Sequence, residues 1–135
     1  MLASALLLVL AGTHVPADAV AELSKGSALY RVCQAEVRLM DLPDLTKATQ
    51  SDLLNGTYCV GYLNGYLSNL HPTAAVCTFG ATTGALVRAY VEFMEKNPGM
   101  MDQDRKIGLA MALSNNYRCP LDPSPGPSRP SNSTL

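Results

Sequence analysis

The chain has 135 residues, 47% hydrophobic and 16% charged, with a formal net charge of −1. That length supports one domain with a buried core. Ten basic residues against eleven acidic ones, with no basic cluster, exclude nucleic acid as the main partner.

The first segment, "MLASALLLVLAG", is an apolar run of signal-peptide length, too short to span a bilayer. Ala17 and Ala19 form an A-x-A cleavage pattern, so residues 1–19 read as a leader removed on export. The exported chain then has no membrane segment.

Helical periodicity begins next. Leu29, Val32, Cys33, Val37 and Met40 form one apolar stripe, which predicts a first helix from about Ser24 to Met40. Pro43 in "DLPDL" cannot continue it. A second helix is predicted from Thr46–Ser51 to Leu70, before Pro72. On it Val60, Leu63, Leu67 and Leu70 cluster on one side, with Tyr58, Tyr62 and Tyr66 beside them. Gly61 and Gly65 make a flat strip beyond the tyrosines. Each glycine costs roughly 1 kcal/mol of helix propensity against alanine. The expected compensation is close packing of another backbone at Gly61, Tyr62 and Gly65, with this helix at the centre of the fold.

"AAVCTF", residues 74–79, reads as a loop. A third helix is expected with Thr82 or Thr83 as N-cap, carrying Leu86, Val87, Tyr90, Val91 and Met94 to "NPG" at 97–99. Asp102 and Asp104 suit the first turn of a fourth helix. Its expected stripe is Ile107, Ala110, Met111, Ser114 and Tyr117, with Leu109 and Leu113 beside it. From Pro120 the chain holds five prolines and four serines without apolar periodicity, so residues 120–135 read as a disordered tail.

Cys33, Cys59, Cys77 and Cys119 all follow the leader. In an oxidising compartment an even count reads as two disulfides, with three pairings open. The favoured one is Cys59–Cys77, stapling a helix to its following loop, with Cys33–Cys119 tying the first helix to the end of the last. The fold class is all-α: a compact bundle of about four helices, residues 20–119, stapled by two disulfides.

Catalytic chemistry finds little in this composition. Past the leader only His71 supplies an imidazole, no C-x-x-C pair suggests zinc, and "FGATTG" lacks the lysine and spacing of a phosphate loop. No catalytic residue, metal or other cofactor is expected. Met100 and Met101, adjacent in a turn after Pro98-Gly99, are the more interesting feature. An exposed methionine there would make an adaptable apolar contact.

The frame resembles the Rap/Tai family of immunity proteins. Cys59, Gly61, Tyr62, Leu63 and Gly65 match its Cys-x-Gly-aromatic-aliphatic-x-Gly pattern. Cys77, Gly80, Thr82 or Thr83, Tyr90-Val91, Pro98 and Cys119-Pro120 match the rest of the family pattern, so the likeness covers about Ser24 to Pro120. The family commonly has a proline soon after its third cysteine, where this chain has Thr78-Phe79. The resemblance implies a helical, disulfide-bonded periplasmic protein, often a dimer. It implies a protein that blocks a peptidoglycan-cleaving amidase delivered by type VI secretion, by occlusion and without chemistry of its own. The expected contact is the turn holding Asn97, Pro98, Met100, Met101, Asp102 and Asp104. Two other readings fit the same residues: an envelope-associated module without a toxin partner, and an acid-stress chaperone.

Overall fold

A computed structural model describes residues 17–70 and 76–119. The expected leader up to residue 16, His71, Pro72 and the expected tail from Pro120 lie outside the described residues. Five α-helices follow in order: α1 (Ala17–Ser24), α2 (Gly26–Asp41), α3 (Gln50–Ser68), α4 (Thr83–Lys96) and α5 (Arg105–Asn116). A 3-10 turn, Leu45–Lys47, precedes α3, and another, Pro98–Asp102, links α4 to α5. The all-α class and the four main helices therefore stand, and α1 is added in front of them. It buries no residue and covers the bond after Ala19 where the leader is expected to end.

The helix starts follow from local chemistry. Thr49 caps α3 by accepting from the Asp52 amide at 3.0 Å, and Thr82 caps α4 by accepting from the Ala85 amide at 3.2 Å. Asp104 caps α5 by accepting from the Lys106 amide at 2.8 Å. Each side-chain oxygen satisfies an amide that the helix itself leaves unpaired.

The core is built on α2 and α4. Leu29 and Cys33 of α2 are fully buried, and α4 buries Leu86, Val87, Tyr90, Val91, Phe93 and Met94. Full burial of such a side chain is worth roughly 1.5–3 kcal/mol each. The Tyr90 hydroxyl reaches the Gly26 carbonyl at 3.3 Å, and burial pushes its pKa well up. Helix α2 touches α1, α3, α4, α5 and the second 3-10 turn, so it is the hub. The expectation that α3 sits at the centre is wrong. Only Gly56, Cys59 and Leu63 of its nineteen residues are buried, Tyr62, Tyr66 and Leu67 pack half-buried at the edge of the core, and a further face is exposed.

The expected cysteine pairing is wrong as well. The disulfides are Cys33–Cys59 and Cys77–Cys119. Helix α3 runs antiparallel along α2, as the contacts Cys33 with Cys59, Glu36 with Gly56 and Arg38 with Asp52 show. The first two cysteines therefore meet at a buried seam. The other two meet where the segment before α4 runs beside the end of α5. There Val76 bridges Arg118, and the Cys77 amide donates to the Tyr117 carbonyl at 2.7 Å.

The stripe of α5 also differs from expectation. Gly108, Leu109, Ala112 and Leu113 are buried, whereas Ile107 and Met111 leave nearly half of their surface exposed. Gly108 rests on the Met94 sulfur, so an added Cβ would come within 2.9 Å of it. The core selects the flank with the small residues because α4 already fills the space with Tyr90 and Met94.

Candidate functional site

Two surfaces hold the residues singled out from the sequence. The first is the turn from Asn97 to Asp104. Asn97 ends α4 and donates its side-chain amide to the Phe93 carbonyl at 2.8 Å. Pro98 opens the 3-10 turn, and the Met100 amide donates to the Asn97 carbonyl at 2.9 Å. The turn then docks on α2: the Gly26 amide donates to the Gln103 carbonyl at 2.7 Å, and the Lys25 and Asp104 backbones pair as an isolated antiparallel β-bridge. An added Cβ on Gly26 would run into the Met100 carbonyl, so this glycine is what lets the turn close down.

The consequence for the methionines is direct. Met100 and Met101 are half-buried and pack against the core, while Asn97, Pro98, Asp102 and Asp104 are exposed. The structure thus brings the six expected contact residues together, but it turns both methionines toward the protein. The polar rim is what faces solvent.

The second surface runs along α3. Tyr58 and Tyr62 stack with ring centroids 6.4 Å apart and an interplanar angle of 21°. The Arg105 guanidinium lies 4.5 Å above the Tyr62 ring and donates to the Tyr58 hydroxyl at 2.8 Å. A cation over a ring at such a site is worth about 0.5–1 kcal/mol. The Tyr62 hydroxyl is buried without a well-formed hydrogen bond. Burial raises the Tyr62 pKa, and the nearby Arg105 charge opposes that rise. Burial also raises the pKa of Tyr66.

Beside this ridge lies a shallow trough lined by Gly61, Tyr62, Gly65, Tyr66, Asn69 and Lys106. Gly61 and Gly65 are among its lining residues. An added Cβ on either would meet nothing within 4 Å, so neither admits a neighbouring backbone. The packing role expected for them belongs to Gly56, where a Cβ would lie 3.3 Å from the Glu36 Cα and 2.7 Å from a Leu39 methyl. Gly56 precedes Cys59 by one turn. The Cys33–Cys59 link, with its two Cα atoms 5.0 Å apart, places Gly56 on the same seam against α2. The pairing would have pointed to Gly56, but the sequence left the pairing open.

The model of the Rap1a immunity proteins matches residues 25–119. The chain belongs to this family. The match runs from the residue before α2 to the fourth cysteine, so it takes in both disulfides and both candidate surfaces of the Rap1a fold. Membership makes the protein an immunity protein, whose partner is a toxin effector. No curated protein and no solved structure matches the chain. The features on this Rap1a surface are suited to recognition: a tyrosine ridge locked by one arginine, an open trough and a polar turn. Among the described residues no three His, Cys, Asp or Glu side chains converge, and no helix is long and apolar enough to cross a membrane. Sequence reasoning missed Arg105, which had no motif to mark it, and Phe79, which stands free of the fold at the turn before α4.

Proposed function

We propose that this Rap1a protein is a periplasmic immunity protein that binds a peptidoglycan amidase effector delivered by type VI secretion and occludes its catalytic groove. The observation that carries the reading is the family match across the whole disulfide-locked bundle, residues 25–119. Two structural disulfides suit an exported protein, since such bonds persist in oxidising compartments. The inhibitor contributes shape and rigidity and performs no chemistry of its own.

The contact surface in this reading is the exposed rim of the turn, Asn97, Pro98, Asp102 and Asp104, continued by Arg105 and Tyr58. Met100 and Met101 support that rim from beneath.

The test is a pull-down with the exported chain, disulfides formed, against periplasmic and secreted proteins of the source bacterium, with complexes weighed by native mass spectrometry. A stoichiometric complex with an amidase whose activity falls as the complex forms is the expected outcome. Absence of any such complex across growth conditions would remove the amidase reading and leave an immunity protein for an effector of another kind. The same spectra read the oligomeric state.

A further inference from the structure

Phe79 is fully exposed, at 104% of its reference surface, above any other large apolar side chain among the described residues. Its position is defined. The Ala81 amide donates to the Thr78 carbonyl at 3.0 Å, closing a four-residue turn. Gly80, third in that turn, has φ of +82°, the value a type II turn requires there. Phe79 occupies the second position, where proline is the residue that favours the turn. Phenylalanine gives the turn no such help, and it makes no contact with the core.

Both flanks of the turn are fastened. On one side the Val76–Arg118 bridge and the Cys77–Cys119 disulfide hold it to the end of α5. On the other, Thr82 is bound into the N-cap of α4. A large aromatic ring is therefore held in water on a preorganised backbone, and the fold gains nothing from it. Such rigid aromatic anchors dominate protein interfaces, because little ordering entropy is lost when they enter a pocket.

We propose that Phe79 is an anchor side chain that inserts into an apolar pocket on the effector. This rests on the reading that the partner is a protein effector. The local chemistry selects a pocket over a charged surface: residues 77–84, "CTFGATTG", carry no ionisable side chain outside the disulfide, and Arg118, whose backbone pairs with Val76 beside them, donates its Nε back to the Ser114 carbonyl of α5. A lipid surface would call for lysine or arginine beside the ring. Fourteen residues of α4 separate Phe79 from the polar turn, roughly 21 Å at 1.5 Å per residue. An interface of about 800 Å² per partner is roughly 30 Å across, so one partner can engage both.

The test uses the full exported chain and the partner retained in the pull-down above. Affinity is measured for the unaltered protein, Phe79→Ala, Phe79→Leu and Phe79→Asp, with melting temperatures recorded for each. The expected result is a loss of about 30-fold for Phe79→Ala, less for Phe79→Leu and more for Phe79→Asp, at unchanged melting temperature. A change of twofold or less overturns the proposal, as does a lowered melting temperature or failure of the unaltered chain to retain any partner. Two controls identify the other occupants. Self-association by sedimentation, or binding to phosphatidylethanolamine–phosphatidylglycerol vesicles, that is lost in Phe79→Ala while effector affinity is kept would also overturn it. An amidase held equally by Phe79→Ala removes this inference and keeps the proposed function. A partner of another kind that needs Phe79 does the reverse.

Discussion

The turn before α4 and the turn after it both carry apolar side chains, Phe79 in one and Met100 with Met101 in the other. They treat them in opposite ways. The turn after α4 lies against α2 through the Gly26 amide, and its methionines pack on the core. The turn before α4 is tied to the rest of the protein only at its ends, and its phenylalanine points into water. Hydrophobicity in a loop therefore does not say which way the loop faces. What decides is whether another element is close enough to receive it.

The largest test of this contrast is a charge at each site. Met100→Asp with Met101→Asp places carboxylates against the core and should destabilise by about 2–4 kcal/mol, measured by urea unfolding. Phe79→Asp should leave stability within about 0.5 kcal/mol. Equal effects would erase the distinction between the turns.

A smaller effect separates their glycines. Gly80 lies in the left-handed region, so Gly80→Ala should cost about 1–2 kcal/mol. Gly99 has no such backbone and nothing within 4 Å of an added Cβ, so Gly99→Ala should be neutral or slightly stabilising. The same contrast recurs within α3. Gly61→Ala and Gly65→Ala should each stabilise by about 0.5–1 kcal/mol, since both are open and helical. Gly56→Ala should destabilise, because its Cβ would meet a Leu39 methyl at 2.7 Å and the Glu36 Cα at 3.3 Å. A stabilising Gly56→Ala would show that the α2–α3 seam is looser than the contacts at Gly56 imply.

The smallest effect lies away from both turns. The Asp52 carboxyl is held below its ordinary value of 3.8, first by the hydrogen bond from Arg38 and next by that from the Thr49 hydroxyl. A carboxylate whose pKa falls on folding adds stability that is fully present above 3.8 and is lost as the pH drops through the folded value. Arg38→Met should lower the melting temperature slightly at pH 7 and narrow the loss seen on acidification. Both groups reach solvent, so the change should be modest.

Much of this architecture was legible from residue order. The helix limits near Pro43, Thr82 and Asp104 follow from caps and from proline, which act within a turn of themselves. The α4 stripe, Leu86 to Met94, was legible because the opposite side is charged, with Arg88, Glu92 and Glu95. On α3 and α5 the apolar residues exceed what the core can take. Periodicity alone then could not tell Leu109 and Leu113 from Ile107 and Met111, nor Gly56 from Gly61 and Gly65.

By itself, the sequence determined an all-helical, twice-bridged bundle of the immunity family, because caps, breakers and cysteine count are local properties. Only the tertiary structure decided which cysteines meet, which face of α3 stays open and which turn presents an aromatic ring. Those depend on how near one element comes to another. Four cysteines are chemically alike until the antiparallel seam of α2 and α3 places Cys33 against Cys59.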